Sequence, residues 1–361
     1  IMAANQTGLE DEDRERSDWI ELFNSLDRAV NLKGWSLSDD EGLPGKWVFG
    51  DFVIQPGEYR IVFASAKDRP GGVDGEPHTN FRLSRAGEFL GLFSPELPRQ
   101  LVDQLGASYP SQRNDHSYGR QADSALGYFA FPSPGEANEG ETVSGILPGP
   151  RFSAQRGYYD RPFDLILSSS VEGAEIRYTR DYSEPTRENG EVYRDPIQIS
   201  RRQVVRAAVF KEGHLPSETV THSYLYRLSA TRRSLPILSL VTERENLFGR
   251  RGIMETRPRN TTKRGRAWER PVSVEYFLPD GETGFQIDCG LRIQGGNYIR
   301  QRYNHRSGPP AGKFSFRLYF RGDYGQRALT YPLIPRSPVS EFKQIVLRAG
   351  MNDHTNPFIV D

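Results

Sequence analysis

Short runs in which apolar and polar residues alternate recur along the whole chain. Residues 18–24, DWIELFN, alternate with a period of two, and residues 46–65 hold two further runs on either side of Pro56-Gly57. Side chains of a strand point to opposite faces in turn, so this period predicts β-strands. Proline presets φ at the first central turn position and glycine accepts a positive φ at the second. Residues 80–94 predict another hairpin, around Ala86-Gly87.

The same period continues to the end of the chain. In the middle, strands are predicted over 163–169, 174–181, 195–201, 203–213 and 221–228. Beyond them we expect a strand with a helical turn over 235–249, a hairpin over 271–296, and strands over 313–321 and 342–350. In the run 313–321 the three phenylalanines and Leu318 share one face, while Lys313, Arg317 and Tyr319 lie on the other. The pattern predicts a mainly β protein.

Composition supports this fold class. Gly and Pro together supply 60 of the 361 residues and aromatic residues 11%, a mixture of turn formers and strand formers. The longest apolar runs fall well short of the ~20 residues that a spanning helix needs, so we expect no membrane span. The chain opens with a strand at Ile1 and stops after NPFIVD, and we expect it to be a piece of a longer protein.

Charge divides the chain into regions. Residues 1–140 carry 13 basic and 23 acidic residues, whereas residues 231–361 carry 22 basic and 12 acidic residues, so the last region suits an anionic ligand. Residues 132–150 hold four prolines and four glycines and are predicted to be a linker. We therefore expect units at 1–131, 151–227 and 234–361.

The first two units resemble known β modules. The motifs IMAANQ (1–6), DWIELFN (18–24), VIQPGEYRIVFAS (53–65) and HTNFRLSRAGEFLGLF (78–93) are together similar to a bacterial lamin-tail domain. EIRYTRDYSEPTRENGEVYRDPIQIS (175–200) resembles the chitobiase or β-hexosaminidase C-terminal-type domain, with Tyr182 where that family has glycine. The resemblances imply two immunoglobulin-like β-sandwiches, neither of them catalytic.

The glycine turns of the third unit raise the question of a phosphate site. Gly308 precedes Gly312-Lys313 by too few residues for a Walker loop, and Phe314 stands where its hydroxyl belongs. The run GGNYIRQ lacks the spacing of a dinucleotide fingerprint and opens no obvious helix. A glycine turn between two strands, followed by a lysine on the next strand, is the order found in protein kinases. A plain basic β-hairpin has the same order.

The third unit also resembles a family. VTERENLFGRRGIMET (241–256), the run 264–296, KFSFRLYFRGDYG (313–325) and the run 342–361 are similar, in order, to the N-terminal part of the CotH kinase family. That resemblance implies an atypical, kinase-like α+β fold, with ATP and Mg²⁺ as cofactors of the intact parent. The predicted nucleotide-contacting residues are Gly295, Gly296, Lys313 and Arg317.

The family places its catalytic and metal-binding carboxylates downstream of the part matched here. No catalytic residue and no metal ligand is therefore predicted within this chain, and the piece alone is expected to be inactive. The intact parent would phosphorylate a surface or coat protein outside the cell. The alternative is a non-catalytic adhesion or scaffold protein that binds polysaccharide or protein. Nucleic acid is not expected as a partner, since the aromatic residues of 290–321 face a core.

Three other features suggest chemistry, and each has a structural interpretation that we favour. Cys289 alternates with apolar neighbours and is predicted to pack as a small hydrophobic residue rather than act as a nucleophile. The acidic run 9–18 is predicted to be a solvated loop rather than a calcium site. Asp181 and Glu184 could form a carboxylate pair, but Asp181 is better explained as a turn acceptor.

Overall fold

The computed structural model describes residues 1–71, 75–121, 123–140, 142–279, 281–308, 311–334 and 336–349. The chain is mainly β, as predicted. It folds into two compact units, residues 1–146 with 212–215, and residues 147–211 with those from 216 onward. The second unit contains two modules, one before and one after residue 230.

The first unit is a set of short antiparallel strands. Its strands are β1 (Asp18–Phe23), β2 (Val30–Asn31), β3 (Ser36–Ser38), β4 (Trp47–Val48), β5 (Val53–Ile54), β6 (Tyr59–Ala64), β7 (Gly91–Phe93), β8 (Leu101–Gln104), β9 (Ser117–Arg120), β10 (Leu126–Phe129) and β11 (Thr142–Val143). The largest sheet has the order β4-β3-β7-β8, and β1 pairs with β6. Strand β11 lies in the stretch predicted to be a linker and pairs with β10.

Of the two turns predicted in this unit, one is confirmed and the other is wrong. Gly57 has φ of 70° and the Glu58 amide donates to the Gln55 carbonyl (3.1 Å), which confirms the Pro56-Gly57 turn. The hairpin predicted over 80–94 is wrong, because only Gly91–Phe93 forms a strand there. Residues before it run through the core as irregular chain, with Leu83 fully buried.

The acidic run is a largely exposed loop, as the sequence predicts, but Asp11 within it is buried. The Asp11 side chain is fully buried, and its carboxylate accepts hydrogen bonds from the amides of Asp13 (3.0 Å) and Glu15 (2.9 Å). Lys67 Nζ lies 2.6 Å from an oxygen of Asp11 and 2.6 Å from one of Asp13. Burial opposes ionisation of Asp11, but the Lys67 and Glu15 hydrogen bonds outweigh it and lower its pKa. The run is thus folded around one lysine.

A serine, a histidine and a glutamate meet beside this loop. Buried His78 contacts Ser65 Oγ through Nδ1 (2.8 Å) and Glu12 through Nε2 (2.9 Å). This resembles a hydrolase triad in composition, and sequence inspection did not find it because the three residues are far apart in the chain. Ser65 is only 3% exposed, so its hydroxyl is closed to a substrate. The contacts instead attach the acidic loop to the sandwich.

The module before residue 230 is a sandwich around an apolar core. Its strands are β12 (Arg151–Phe152), β13 (Gly157–Tyr159), β14 (Phe163–Leu165), β15 (Leu167–Ser168), β16 (Glu175–Thr179), β17 (Glu191–Val192), β18 (Ile197–Ile199), β19 (Gln203–Phe210) and β20 (Val220–Tyr226). A five-stranded sheet, β13-β20-β19-β16-β17, packs against the pairs β12-β15 and β14-β18. Tyr182 has φ of 74°, which is consistent with the glycine expected there.

Asp181 is the predicted turn acceptor. Its Oδ1 accepts from the Ser183 amide (3.1 Å) and hydroxyl (2.6 Å), and these hydrogen bonds lower the pKa of Asp181. Glu184 is bound separately, by Arg206 and by Thr219. The two carboxylates therefore have different partners and form no catalytic pair.

The module after residue 230 contains one five-stranded antiparallel sheet, β21-β22-β23-β24-β27. Its elements are α1 (Ala230–Arg233), β21 (Ile237–Val241), α2 (Arg244–Leu247), β22 (Arg270–Phe277), β23 (Thr283–Ile293), α3 (Asn297–Arg302), β24 (Phe316–Tyr319), β25 (Leu329–Thr330), β26 (Glu341–Phe342) and β27 (Gln344–Leu347), with short 3₁₀ turns at Asn260–Thr262 and Arg266–Trp268. The hairpin predicted over 271–296 is confirmed; Asp280 lies outside the described residues.

One face of this sheet covers the core. Cys289 is fully buried among Val272, Ile287 and Leu291, which confirms that it packs as a hydrophobic residue, and burial raises the pKa of its thiol. The predicted strand 313–321 is shorter than expected, spanning Phe316–Tyr319. Its apolar face is confirmed, since Leu318 and Phe316 both pack on this core.

We predict that Lys67→Met destabilises the first unit by about 2 to 3 kcal/mol, because it leaves the buried Asp11 carboxylate without its cation. Urea unfolding of the full chain at pH 7 measures the change. Lys33→Met is the matched control, because Lys33 and Asp51 form an exposed pair, with side chains 67% and 57% accessible. Equal stability of the two variants would contradict a supporting role for the Lys67 pair.

Candidate anion-binding cleft

The Gly295-Gly296 turn lies between β23 and α3. Gly295 has φ of 127°, a backbone conformation that favours glycine, and Gly296 immediately precedes the helix. The sequence-based statement that GGNYIRQ opens no helix is therefore wrong, although α3 has only six residues. β23 and β24 are antiparallel neighbours, with Ile293 opposite Phe316, so the turn does begin the connection between two paired strands.

Arg300 occupies the inner side of this turn. Its guanidinium, 6% exposed, donates to the carbonyls of Gly295 (2.8 Å) and Lys263 (2.7 Å), and also to that of Ile293. Burial and the nearby charges of Arg264 and Arg292 lower the pKa of Arg300. The ordinary pKa of arginine is so high that the group nevertheless stays charged. The turn is thus held by the chain's own cation, which is a structural role.

The other two predicted residues lie in different environments. Lys313 is exposed and precedes β24 by three residues, so it does not lie on the strand. Arg317 lies within β24, on the face opposite the core, and its Nη1 donates to Gln344 Oε1 (3.2 Å). The four predicted residues are not gathered into one pocket, and their part in nucleotide binding stays a prediction.

A cleft of about 880 Å³ opens on the core side of the sheet. Its wall is built by α2 and by the turn that follows, in which Gly249 has φ of 90°. That turn is fixed by hydrogen bonds from the amides of Ile253 to Asn246 (3.0 Å) and Met254 to Leu247 (2.8 Å). The charged and polar lining residues are Arg244, Glu245, Arg250, Arg251, Glu255, His305 and Arg306. Gly312, the neighbour of Lys313, lies at its edge.

The cleft is electropositive. Its four arginines are exposed and outnumber its two glutamates. Arg244 stacks over the Phe248 ring at 5.3 Å, and the His305 ring lies 5.2 Å from the same ring. Planar guanidinium groups offer paired donors that match phosphate, sulfate or carboxylate oxygens. The arrangement can therefore bind an anion beside an aromatic surface.

Glu255 fixes the base of the cleft. Its carboxylate accepts from the amides of Arg257 (3.1 Å), Thr256 (2.8 Å) and Gly249 (3.4 Å), and these hydrogen bonds lower the pKa of Glu255. Arg306 Nη2 lies 3.8 Å from the same carboxylate. An ionised Glu255 thus orders the loop that presents Arg250 and Arg251.

The segment VTERENLFGRRGIMET carries part of the family resemblance, but no site was predicted within it. The sequence does contain an indication of the basic cleft, because two arginines directly follow the glycine turn at Gly249. His305 and Arg306 could not be associated with them, since they lie about fifty residues further along. Among the described residues, no group of His, Cys, Asp and Glu side chains could hold a metal ion. No helix in that part of the chain is long and apolar enough to cross a membrane.

The fold and cleft define a multidomain protein built from β modules. Residues 4–108 match the lamin tail domain family, and residues 165–224 match the family described as Fn3 associated. The first match confirms the lamin-tail prediction for the first unit. The second places an Fn3-associated domain in the module before residue 230, where a chitobiase-type domain was predicted. No curated protein matches the chain.

We predict that Arg300→Met destabilises the module after residue 230 by about 3 kcal/mol, because several buried carbonyls lose their donor. Thiol labelling of Cys289, the only cysteine of the chain, reports opening of this module in urea. Arg302→Met, an exposed arginine of the same helix, is the control. Wild-type stability for Arg300→Met would show that the turn does not depend on Arg300.

Proposed function

We propose that residues 234–361 form the N-terminal part of a CotH-type, kinase-like domain in a bacterial multidomain protein outside the cell or on its surface. In the intact protein this domain would transfer the γ-phosphoryl group of ATP to a surface or coat protein. The lamin-tail module and the Fn3-associated module, which we further propose to be of the chitobiase type, would position it near that target. The ordered sequence similarity described above supports this proposal.

The observation that carries the proposal is the basic cleft. A triphosphate has several negative charges, and the cleft supplies four arginines and an aromatic wall. Lys313, which the family resemblance matches to the nucleotide-contacting lysine, follows Gly312 at its edge. The Gly295-Gly296 turn would then form part of the structural frame, because Arg300 already binds its carbonyls.

ATP and Mg²⁺ fit the described residues to different degrees. The cleft arginines suit the phosphates and Phe248 suits a ring, so Arg244, Arg250, Arg251 and Arg306 would hold the nucleotide. Bound ATP would supply the phosphoryl group. The described residues do not fit Mg²⁺, since they contain no suitable carboxylate cluster. We therefore assign no catalytic step to the metal within this chain.

A second candidate function is a non-catalytic adhesion or scaffold role. The four cleft arginines are all exposed, and an open basic surface suits an extended anionic polymer as well as a nucleotide. In this alternative the cleft would bind an acidic polysaccharide or an acidic protein segment. Such binding would be strongly weakened by salt.

We predict that the full chain binds ATP with Mg²⁺, and that the paired substitution Arg250→Ala/Arg251→Ala weakens binding at least tenfold. Each charge-assisted hydrogen bond contributes about 1.5 to 3 kcal/mol, and about 1.4 kcal/mol corresponds to a factor of ten. Lys313→Ala is expected to weaken binding less, because its side chain is exposed at the edge. Isothermal calorimetry measures the affinities.

Arg302→Ala, which removes an exposed arginine outside the cleft lining, is the control and should bind as wild type. The same titrations with a sulfated polysaccharide separate the two functions. Binding of polysaccharide but not of ATP would reject the nucleotide site and favour adhesion. Binding of neither ligand would reject both uses of the cleft.

A further inference from the structure

The sheet of the module after residue 230 has a polar second face. Register places Ser239, Glu275 and Gln286 side by side across β21, β22 and β23. Alternation puts these residues opposite the core residues Val274 and Ile287. A polar residue at this position normally faces water, yet Glu275 is 0% exposed. Its burial therefore needs an explanation.

The Fn3-associated module covers this face. The Ser223 amide donates to Glu275 Oε1 (3.0 Å), and the Ser223 hydroxyl donates to Glu275 Oε2. The same hydroxyl contacts Ser239 Oγ at 2.9 Å, and the Tyr158 ring meets Phe277 edge-on at 6.1 Å. We call this contact, formed by Ser223, Ser239, Glu275, Tyr158 and Phe277, the carboxylate joint.

The joint lacks a close cation. Arg156 Nε lies 3.9 Å from Glu275 Oε1, beyond hydrogen-bond distance, and this nitrogen has no hydrogen-bond partner among the described residues. Burial raises the pKa of Glu275 to about 6, although the Ser223 hydrogen bonds and Arg156 oppose the rise. The charged form is therefore less favourable in the closed joint than in water.

A second carboxylate on the same face behaves similarly. Burial raises the pKa of Asp288 to about 6, opposed by a Ser273 hydrogen bond and by Arg206, and assisted by Glu184 and Glu218. The charged and titratable groups that surround the two carboxylates are Arg156, Tyr224, Arg206, Glu184, Glu218 and Glu243. Glu243 is attached to Glu184, because its Oε1 accepts a hydrogen bond from the Glu184 amide. Positive and negative groups are thus mixed, and no single cation neutralises either carboxylate.

We propose that the carboxylate joint is a proton-operated contact, which holds the Fn3-associated module on the sheet more tightly at mildly acidic pH than at neutral pH. A carboxyl group that binds protons more strongly in the closed joint stabilises it fully below its pKa in the open chain. This stabilisation is lost as pH rises through about 6.

Protonation preserves the hydrogen bonds of the joint. A proton on Oε2 can be donated to Ser223 Oγ, whose own hydrogen then turns to Ser239 Oγ, while Oε1 still accepts the Ser223 amide. Both protonation states can therefore occupy the same geometry. They differ in the charge that is buried.

Hydrogen exchange of the full chain tests the proposal. Protection factors of peptides covering β20 and β22, corrected for intrinsic rates, should fall by roughly fifteenfold between pH 4.5 and pH 7.5 through Glu275, as a pKa shift from 4.5 to about 6 requires. Glu275→Gln, which keeps size and an acceptor but cannot ionise, should remove this contribution and leave only the change that Asp288 adds. Glu172→Gln, which changes an exposed glutamate of the Fn3-associated module, should behave as wild type.

Ser223→Ala supplies a variant with the opposite effect. It removes a hydrogen bond that is stronger to the ionised carboxylate than to the protonated one, so the midpoint of the protection change should move to higher pH. An unchanged pH profile in Glu275→Gln would overturn the proposal. A midpoint in Ser223→Ala that stays in place or moves to lower pH would also overturn the proposal. This second variant keeps the test decisive even where Glu275→Gln folds poorly.

Discussion

The pairing of β22 with β23 is the constraint on which the module after residue 230 depends. These two strands are the longest neighbours in its sheet, and their register fixes which residues face the core and which face the Fn3-associated module. A slip of one residue would bury Asp288 in the core and turn Cys289 to the joint. The core, the joint and the loops that build the cleft therefore all depend on the register of β22 and β23.

Three charged side chains are satisfied by nearby partners, and each one organises a loop. Lys67 gathers the acidic run, Arg300 binds the carbonyls of the glycine turn, and Glu255 orders the cleft loop through backbone amides. Breaking such an arrangement leaves an uncompensated buried charge or polar group, which is costly. The basic residues of the module after residue 230 therefore have two roles. Arg300 stabilises the fold, while the exposed arginines of the cleft can contact a ligand.

The strands and local turns could be predicted from the sequence, whereas long-range contacts could not. The period of two identified β1, the β22–β23 hairpin and the buried side of Cys289, and Pro56-Gly57 gave its turn directly. The same reasoning failed at residues 80–94, where Leu83 is buried without forming a strand. It could not bring Glu12 to His78 or Arg306 to Glu255, because those contacts depend on how distant segments pack.

The cleft and the carboxylate joint are linked through the sheet between them. Cleft residue Met254 packs on the core that covers one face, while Glu275 lies on the other. A ligand that binds only the folded module stabilises it, and so does a proton that binds the closed joint. The two events need no direct contact, since both favour the same folded sheet. Each event therefore adds to the stability of the folded sheet, and neither alters the charge of the cleft arginines.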